Sequence, residues 1–224
     1  MHQAWIPLLL SLKVAGWATA LNLLFGVAAG FGLARWRSGA RDLVDALLTL
    51  PLVLPPTVLG YYLLVLLGRR GVFGAWLEQW GIQLVFTWQG AVIASSVVAF
   101  PLVLKSARAA FETLDPQLER AARTLGVSEA AIFFRVTLPL AARGILAGGL
   151  LAFARALGEF GATLMIAGNL PGRTQTLSVA VYAAVQAGDD QTAGFLVFVT
   201  SVTCVVILLL AGRLVPPHAL GTPR

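Results

Sequence analysis

The sequence predicts an all-α, polytopic membrane protein with about five transmembrane helices. Three observations predict it. Of 224 residues, 58% are hydrophobic and only 12% are charged, whereas soluble domains carry roughly a quarter charged residues. Several apolar runs reach the ~18 residues that mark a membrane helix. The runs are long, and a backbone in lipid must satisfy its own hydrogen bonds, which selects helices over a barrel. No internal repeat or low-complexity tract interrupts them, so one domain over residues 1–224 is expected.

The spans are placed at about 10–34, 43–68, 88–108, 141–168 and 193–213. The first apolar run, from about Leu8 to Ala34, is too long for a signal peptide and lacks a basic leader. Its "GVAAGFG" segment favours close helix approach. Lys13 falls near one edge and can snorkel. The second span contains "LPLVLPPTVLGYYLLVLLG". Pro51, Pro55 and Pro56 each remove a backbone donor and clash with the preceding turn, so this span is kinked or broken. The fifth carries Cys204, the only cysteine, a small packing residue that excludes an intrachain disulfide or a cysteine metal cluster.

The net charge of +6 reads as the positive-inside bias, not as an affinity for nucleic acid. Arg35, Arg37 and Arg41 follow span one. Lys105, Arg108, Arg120, Arg123, Arg135 and Arg143 lie between spans three and four, and Arg213 and Arg224 follow span five. Placing the N-terminus outside puts all of them in the cytoplasm and leaves Arg69, Arg70 and Arg173 facing out. Trp5, Trp76, Trp80 and Trp88 then mark the outer interface and Trp36 the inner one. Asp189 and Asp190 fall in the last outer loop. His2 and His218 are terminal and unpaired, so no metal site is expected. No Ser/His/Asp or Cys/His constellation points to catalysis, and no cofactor is implied.

Residues 109–140 form the largest cytoplasmic feature, and "ERAARTLGVSEAAIFFRVTLPL" (119–140) is unusually charged for this chain. Asp115 is a good N-cap and Pro116 suits a first helical turn. Leu118, Ala121 or Ala122, and Leu125 recur at helical spacing. Gly126 fits a left-handed C-terminal position, and Ser128 caps a second short helix expected to end near Leu138–Pro139. A helical hairpin lies across the cytoplasmic face. It either rests on lipid head groups or meets another protein, and its alanines favour protein.

These residues resemble the cytoplasmic loop of bacterial ABC-importer permeases. That family's pattern is Glu-Ala-Ala, three residues, Gly, nine residues, Ile, one residue, Leu-Pro. Aligned on Gly126, the alanines fall on Ala121 and Ala122, Leu138 and Pro139 match, and Val136 replaces Ile. Arg120 stands at the Glu position, with Glu119 one place earlier. The resemblance implies that Glu119, Arg120, Ala121, Ala122, Gly126, Leu138 and Pro139 form a coupling element docking on a separate ATPase subunit. The chain has no G-x-x-x-x-G-K-[ST] loop of its own. Segments 50–74, 122–126 and 153–177 resemble, more narrowly, the molybdate-importing permeases. Sulfate and tungstate permeases share part of the last motif, and the proline-rich stretch followed by "GRRG" favours molybdate. The resemblance implies a homodimer in the bacterial plasma (inner) membrane, with the pore between subunits, ATPases below and an oxyanion-binding protein above. Arg69–Arg70 then either anchor the interface or meet that binding protein, and Asp189–Asp190 either meet it or form a solvated loop.

Arg155 and Glu159 fall inside span four, four residues apart on one helical face. Arg155 lies roughly 16 Å beyond Gly144 at 1.5 Å per residue, about mid-membrane, where a charge costs at least ~2.5 kcal/mol. The pair is either a structural ion pair or part of an oxyanion pathway that also includes Gly158, Gly161, Pro55 and Pro56. Two rivals stand beside the importer. A secondary transporter is often built from repeats, which are absent here. An intramembrane enzyme would have to use Glu159, which Arg155 keeps ionised.

Overall fold

The computed structural model describes residues 2–36 and 38–214, and among them there is no strand. Arg37, His218 and Arg224 lie outside the described residues, as do the side chains of His2 and Arg213. Helices α1 (His2–Arg35), α5 (Trp88–Glu112) and α11 (Asp190–Leu214) realise the first, third and fifth spans. The second is a pair, α2 (Ala40–Val53) and α3 (Pro56–Leu67). The fourth is α8 (Leu138–Leu157) followed by a short α9 (Gly161–Ala167). Among the described residues four helical stretches are long and apolar enough to cross a membrane, and the α2–α3 pair makes a fifth when counted as one broken span.

The expected break in the second span is a full corner. The axes of α2 and α3 turn through 111°. Leu54 and Pro55, each preceding a proline, hold ψ at 140° and 135°, the extended values that pre-proline sterics impose. Pro51, by contrast, sits inside α2.

Two expectations are corrected. Span four is not one helix over 141–168: it stops at Leu157 and restarts at Gly161. The second hairpin helix does not end at Leu138–Pro139. Helix α7 (Glu129–Ile132) passes through a π-helical turn at Phe133–Thr137 directly into α8. Pro139 lies in the first turn of α8, and the wider π turn absorbs its missing donor. Short α4 (Val72–Glu78) and α10 (Leu177–Gln186) were not anticipated. The first N–H of α10, at Leu177, donates to the Ser11 hydroxyl of α1 at 2.8 Å.

The core is α1, α5 and α8 packed against one another. Its fully buried residues are mostly small: Ala15, Ala18, Ala99 and Ala152. Helices in lipid gain little from apolar burial between them, so close contact does the holding. The "GVAAGFG" reading is borne out at Gly26 and Gly30. A Cβ on Gly30 would stand 3.0 Å from the Ala107 Cβ of α5. Gly148 is tighter: its Cβ would lie 2.5 Å from the Ser106 Cβ and 2.8 Å from its hydroxyl.

Gly148→Leu is therefore expected to destabilise the α5–α8 contact by about 1–3 kcal/mol through overpacking. Thermal unfolding in detergent should show a lower Tm. Adding Ser106→Gly should recover part of the loss, because it removes the atoms that clash.

Candidate translocation junction and docking face

Two broken helices lie break to break. A Cβ on Gly161, where α9 begins, would stand 3.2 Å from the Pro56 Cβ and 3.3 Å from the Thr57 backbone nitrogen of α3. A Cβ on Gly60 would come within 2.9 Å of the Ala162 Cα. The contact thus leaves no room for a side chain at Gly60 and little at Gly161. Gly161 serves packing within the chain, while Gly158 is exposed as the residue that closes α8.

Arg155 and Glu159 do meet, but not on one helix face. Arg155 is in the last turn of α8, where the helix dipole favours a cation. Glu159 lies beyond the helix end, in the break. Its Oε1 accepts the Ala162 backbone N–H at 2.9 Å, which caps α9. Its Oε2 faces Arg155 Nη1 at 2.7 Å as an ion pair without hydrogen-bond alignment. The Glu159 side chain is 1% exposed and that of Arg155 33%. Arg155 alone of the pair therefore offers charge to its surroundings. Phe160, in the same break, packs on Tyr182 of α10 with ring centres 5.0 Å apart.

At the end of the bundle where α5 stops, α6 (Pro116–Thr124) and α7 form the expected hairpin. Asp115 accepts from Gln117 N–H and Ser128 from Ala131 N–H, as the two N-caps predicted. Gly126 has φ +78°. Its N–H donates to the Arg123 carbonyl and that of Val127 to the Ala122 carbonyl, closing α6 in a Schellman motif. Beneath it, Phe31 of α1 meets Phe111 of α5 and Phe133 of the π turn at 5.2 and 4.7 Å.

One of the hairpin's carboxylates points inward. Glu119 pairs with Arg35 at the end of α1 and accepts from the Thr137 hydroxyl at 2.7 Å. Arg123 holds Glu129 through two contacts of 2.6 and 3.0 Å. That bond also raises the Arg123 pKa above its ordinary value. Arg120, Ala121, Gly126 and Pro139 are exposed, and Ala122 and Leu138 are half-buried. Nearby, Asp45 of α2 bridges to Lys105 and Arg108 of α5, and Glu112 to Arg41 and Arg108. Sequence reading had not paired any of these; apart from Arg108 and Glu112, four residues apart on α5, the partners are far apart in the chain.

The family described as "Binding-protein-dependent transport system inner membrane component" matches residues 22–217. The chain belongs to that family. It is 45% identical over 207 residues to the molybdenum transport system permease protein ModB of Escherichia coli K12, covering 92% of this chain and 90% of that protein. It is 44% identical over 203 residues to ModB of Haemophilus influenzae, covering 89% of each. In fold it is similar to a chain of the MetNI methionine ABC transporter, with a TM-score of 0.73 at 17% identity, covering 96% of this chain and 95% of that one.

At the other end of this permease, the Lys13 ammonium sits 3.6 Å above the Trp88 ring centre. Lys13 and Arg173 line one cavity of about 490 Å³. Arg69 faces Glu78 of α4 at 3.4 Å. Asp189 caps α11 by accepting from Thr192 N–H at 3.0 Å, and hydrogen bonding from Thr192 holds its carboxyl below the ordinary range. Among the described residues no cluster of His, Cys, Asp and Glu could hold a metal.

Removing either charge of the Arg155–Glu159 pair should cost roughly 3–5 kcal/mol by stranding the other. The helix cap adds a distinction. Arg155→Leu with Glu159→Gln keeps an acceptor for Ala162 N–H and should recover folded yield. Arg155→Leu with Glu159→Leu should recover less. Monodisperse yield after detergent extraction checks the order; equal yields for the two double variants would remove the cap from the account.

Proposed function

We propose that this chain is the permease subunit of an ATP-driven importer that takes molybdate from a binding protein and passes it into the cytoplasm by alternating access. The observation that carries the substrate is the high identity, over nearly the whole chain, to relatives named for molybdenum transport. The whole chain acts as one permease domain, with residues 109–140 as its coupling loop. Two copies pair with the pathway between them. A separate ATPase subunit seats each hairpin and hydrolyses the ATP, and the binding protein docks at the opposite end. The N-terminus is outside and the C-terminus cytoplasmic, which puts the Arg35, Arg41, Lys105 and Arg108 belt at the inner surface, as the positive-inside rule requires.

The junction of Pro55–Pro56 with Gly158–Gly161 is the pathway element. Discontinuous helices place irregular backbone where it lines a route, not where it meets lipid. Arg155 supplies positive potential to a dianion in an apolar bundle, and its pairing with Glu159 keeps the attraction weak enough for release. Tungstate is a tetrahedral dianion of similar size and sulfate a smaller one, so selectivity among them is a matter of affinity.

The test is uptake in proteoliposomes holding permease, ATPase and binding protein. Labelled molybdate should accumulate only with ATP. Unlabelled molybdate or tungstate should compete, and sulfate should compete only in large excess. Uptake without ATP would favour a secondary transporter, and complete suppression by equimolar sulfate would reassign the substrate.

Orientation has its own test. With Cys204 replaced, single cysteines at Gln79 and Ser128 are both exposed positions. In intact cells an impermeant thiol reagent should label the first and not the second. The reverse pattern would invert the topology.

A further inference from the structure

The hairpin's exposed surface differs in charge from its composition. Residues 115–135 contain Asp115, Glu119 and Glu129 against Arg120, Arg123 and Arg135, which balance. The structure turns Glu119 away from the outer face, while Asp115 and Glu129 stay exposed but engaged. Asp115 is engaged at the α6 N-terminus. Glu119, its side chain 13% exposed, is turned to Arg35 and Thr137. Glu129, its side chain 69% exposed, is paired with Arg123. Arg120 is exposed and has no carboxylate within salt-bridge distance among the described residues.

Arg120 borders an apolar stripe. Leu118, Ala121 and Leu125 follow one another at three and four residues on α6, and Leu118 and Leu125 are 48% and 82% exposed. None of α6 is buried. An exposed apolar strip rimmed by charge marks a contact surface. Lipid is a poor partner for it. The ion pairs of Asp45, Lys105, Arg108 and Glu112 mark the polar edge of the bundle, and α6 begins beyond them, after α5 has ended at Glu112.

We infer that the surface receiving this hairpin is an apolar groove with a carboxylate opposite Arg120: the partner's groove is acidic, not basic. This rests on the docking reading proposed above, and it specifies the chemistry of the ATPase subunit's groove. The inward turn of Glu119 gives the reason. Its carboxylate holds the hairpin to α1 and the π turn, which leaves the neighbouring arginine exposed for recognition.

The experiment uses full-length permease in nanodiscs and measures its affinity for the ATPase subunit. Arg120→Glu should weaken association roughly tenfold, Arg120→Ala less, and Arg120→Lys least, as for charges at the edge of an interface. Wild-type affinity should fall with added salt, and that of Arg120→Glu should fall less. Leu125→Asp serves as the control on docking itself. If Leu125→Asp weakens binding and Arg120→Glu does not, the hairpin docks but the groove is not acidic. Tighter binding by Arg120→Glu would make the groove basic. If neither variant changes affinity, the docking reading fails. A defect seen only in nanodiscs of anionic lipid and lost in neutral ones would assign Arg120 to the membrane surface and overturn the inference.

Discussion

A helix that stops inside a membrane leaves N–H and C=O groups that no water satisfies, and under the proposed pathway reading this chain has such a stop beside a second one. Glu159 makes the arrangement tenable. Its carboxylate occupies the break, capping α9 through Ala162 N–H and neutralising Arg155 at the end of α8. The α3–α9 contact is built on that placement. With α9 restarted at Gly161, its backbone can lie against Pro56, Thr57 and Gly60. A continuous helix through 158–160 would carry Gly161 past that contact.

Small residues do the rest of the holding. Gly30 on Ala107 and Gly148 on Ser106 bring α1 and α8 close onto α5, with little room for a larger residue at the first and none at the second. Such contacts depend on shape and not on expelled water. The mutual fit of α1, α5 and α8 therefore provides a stiff frame. The polar end of that frame is tied by ion pairs between α2 and α5. The hairpin is tied separately, by Glu119 and by the ring cluster of Phe31, Phe111 and Phe133.

The continuity of α7, the π turn and α8 bears on the proposed coupling. A hairpin helix that ended at Pro139 would join the span through a flexible corner. A helix running from Glu129 to Leu157 instead carries displacement of the hairpin straight to Arg155 in its last turn. Under the proposed importer reading, the docking face and the pathway junction lie at two ends of one rod.

Much of this was decided locally and so was legible in the sequence. Apolar length set the spans, because the hydrocarbon thickness is fixed. Pro55 and Pro56 set the corner through pre-proline sterics. Asp115, Gly126 and Ser128 set the hairpin through bonds between near neighbours. The restart at Gly161 was not legible, since "LGEFGATL" is apolar enough to continue a helix, and the stop depends on packing against α3. The direction of Glu119 was not legible either. Its partner Arg35 is 84 residues away, and composition alone cannot tell an acid facing inward from one facing out. Tertiary structure decided both, because long-range neighbours and not local propensity set where a broken helix resumes and which charges remain exposed.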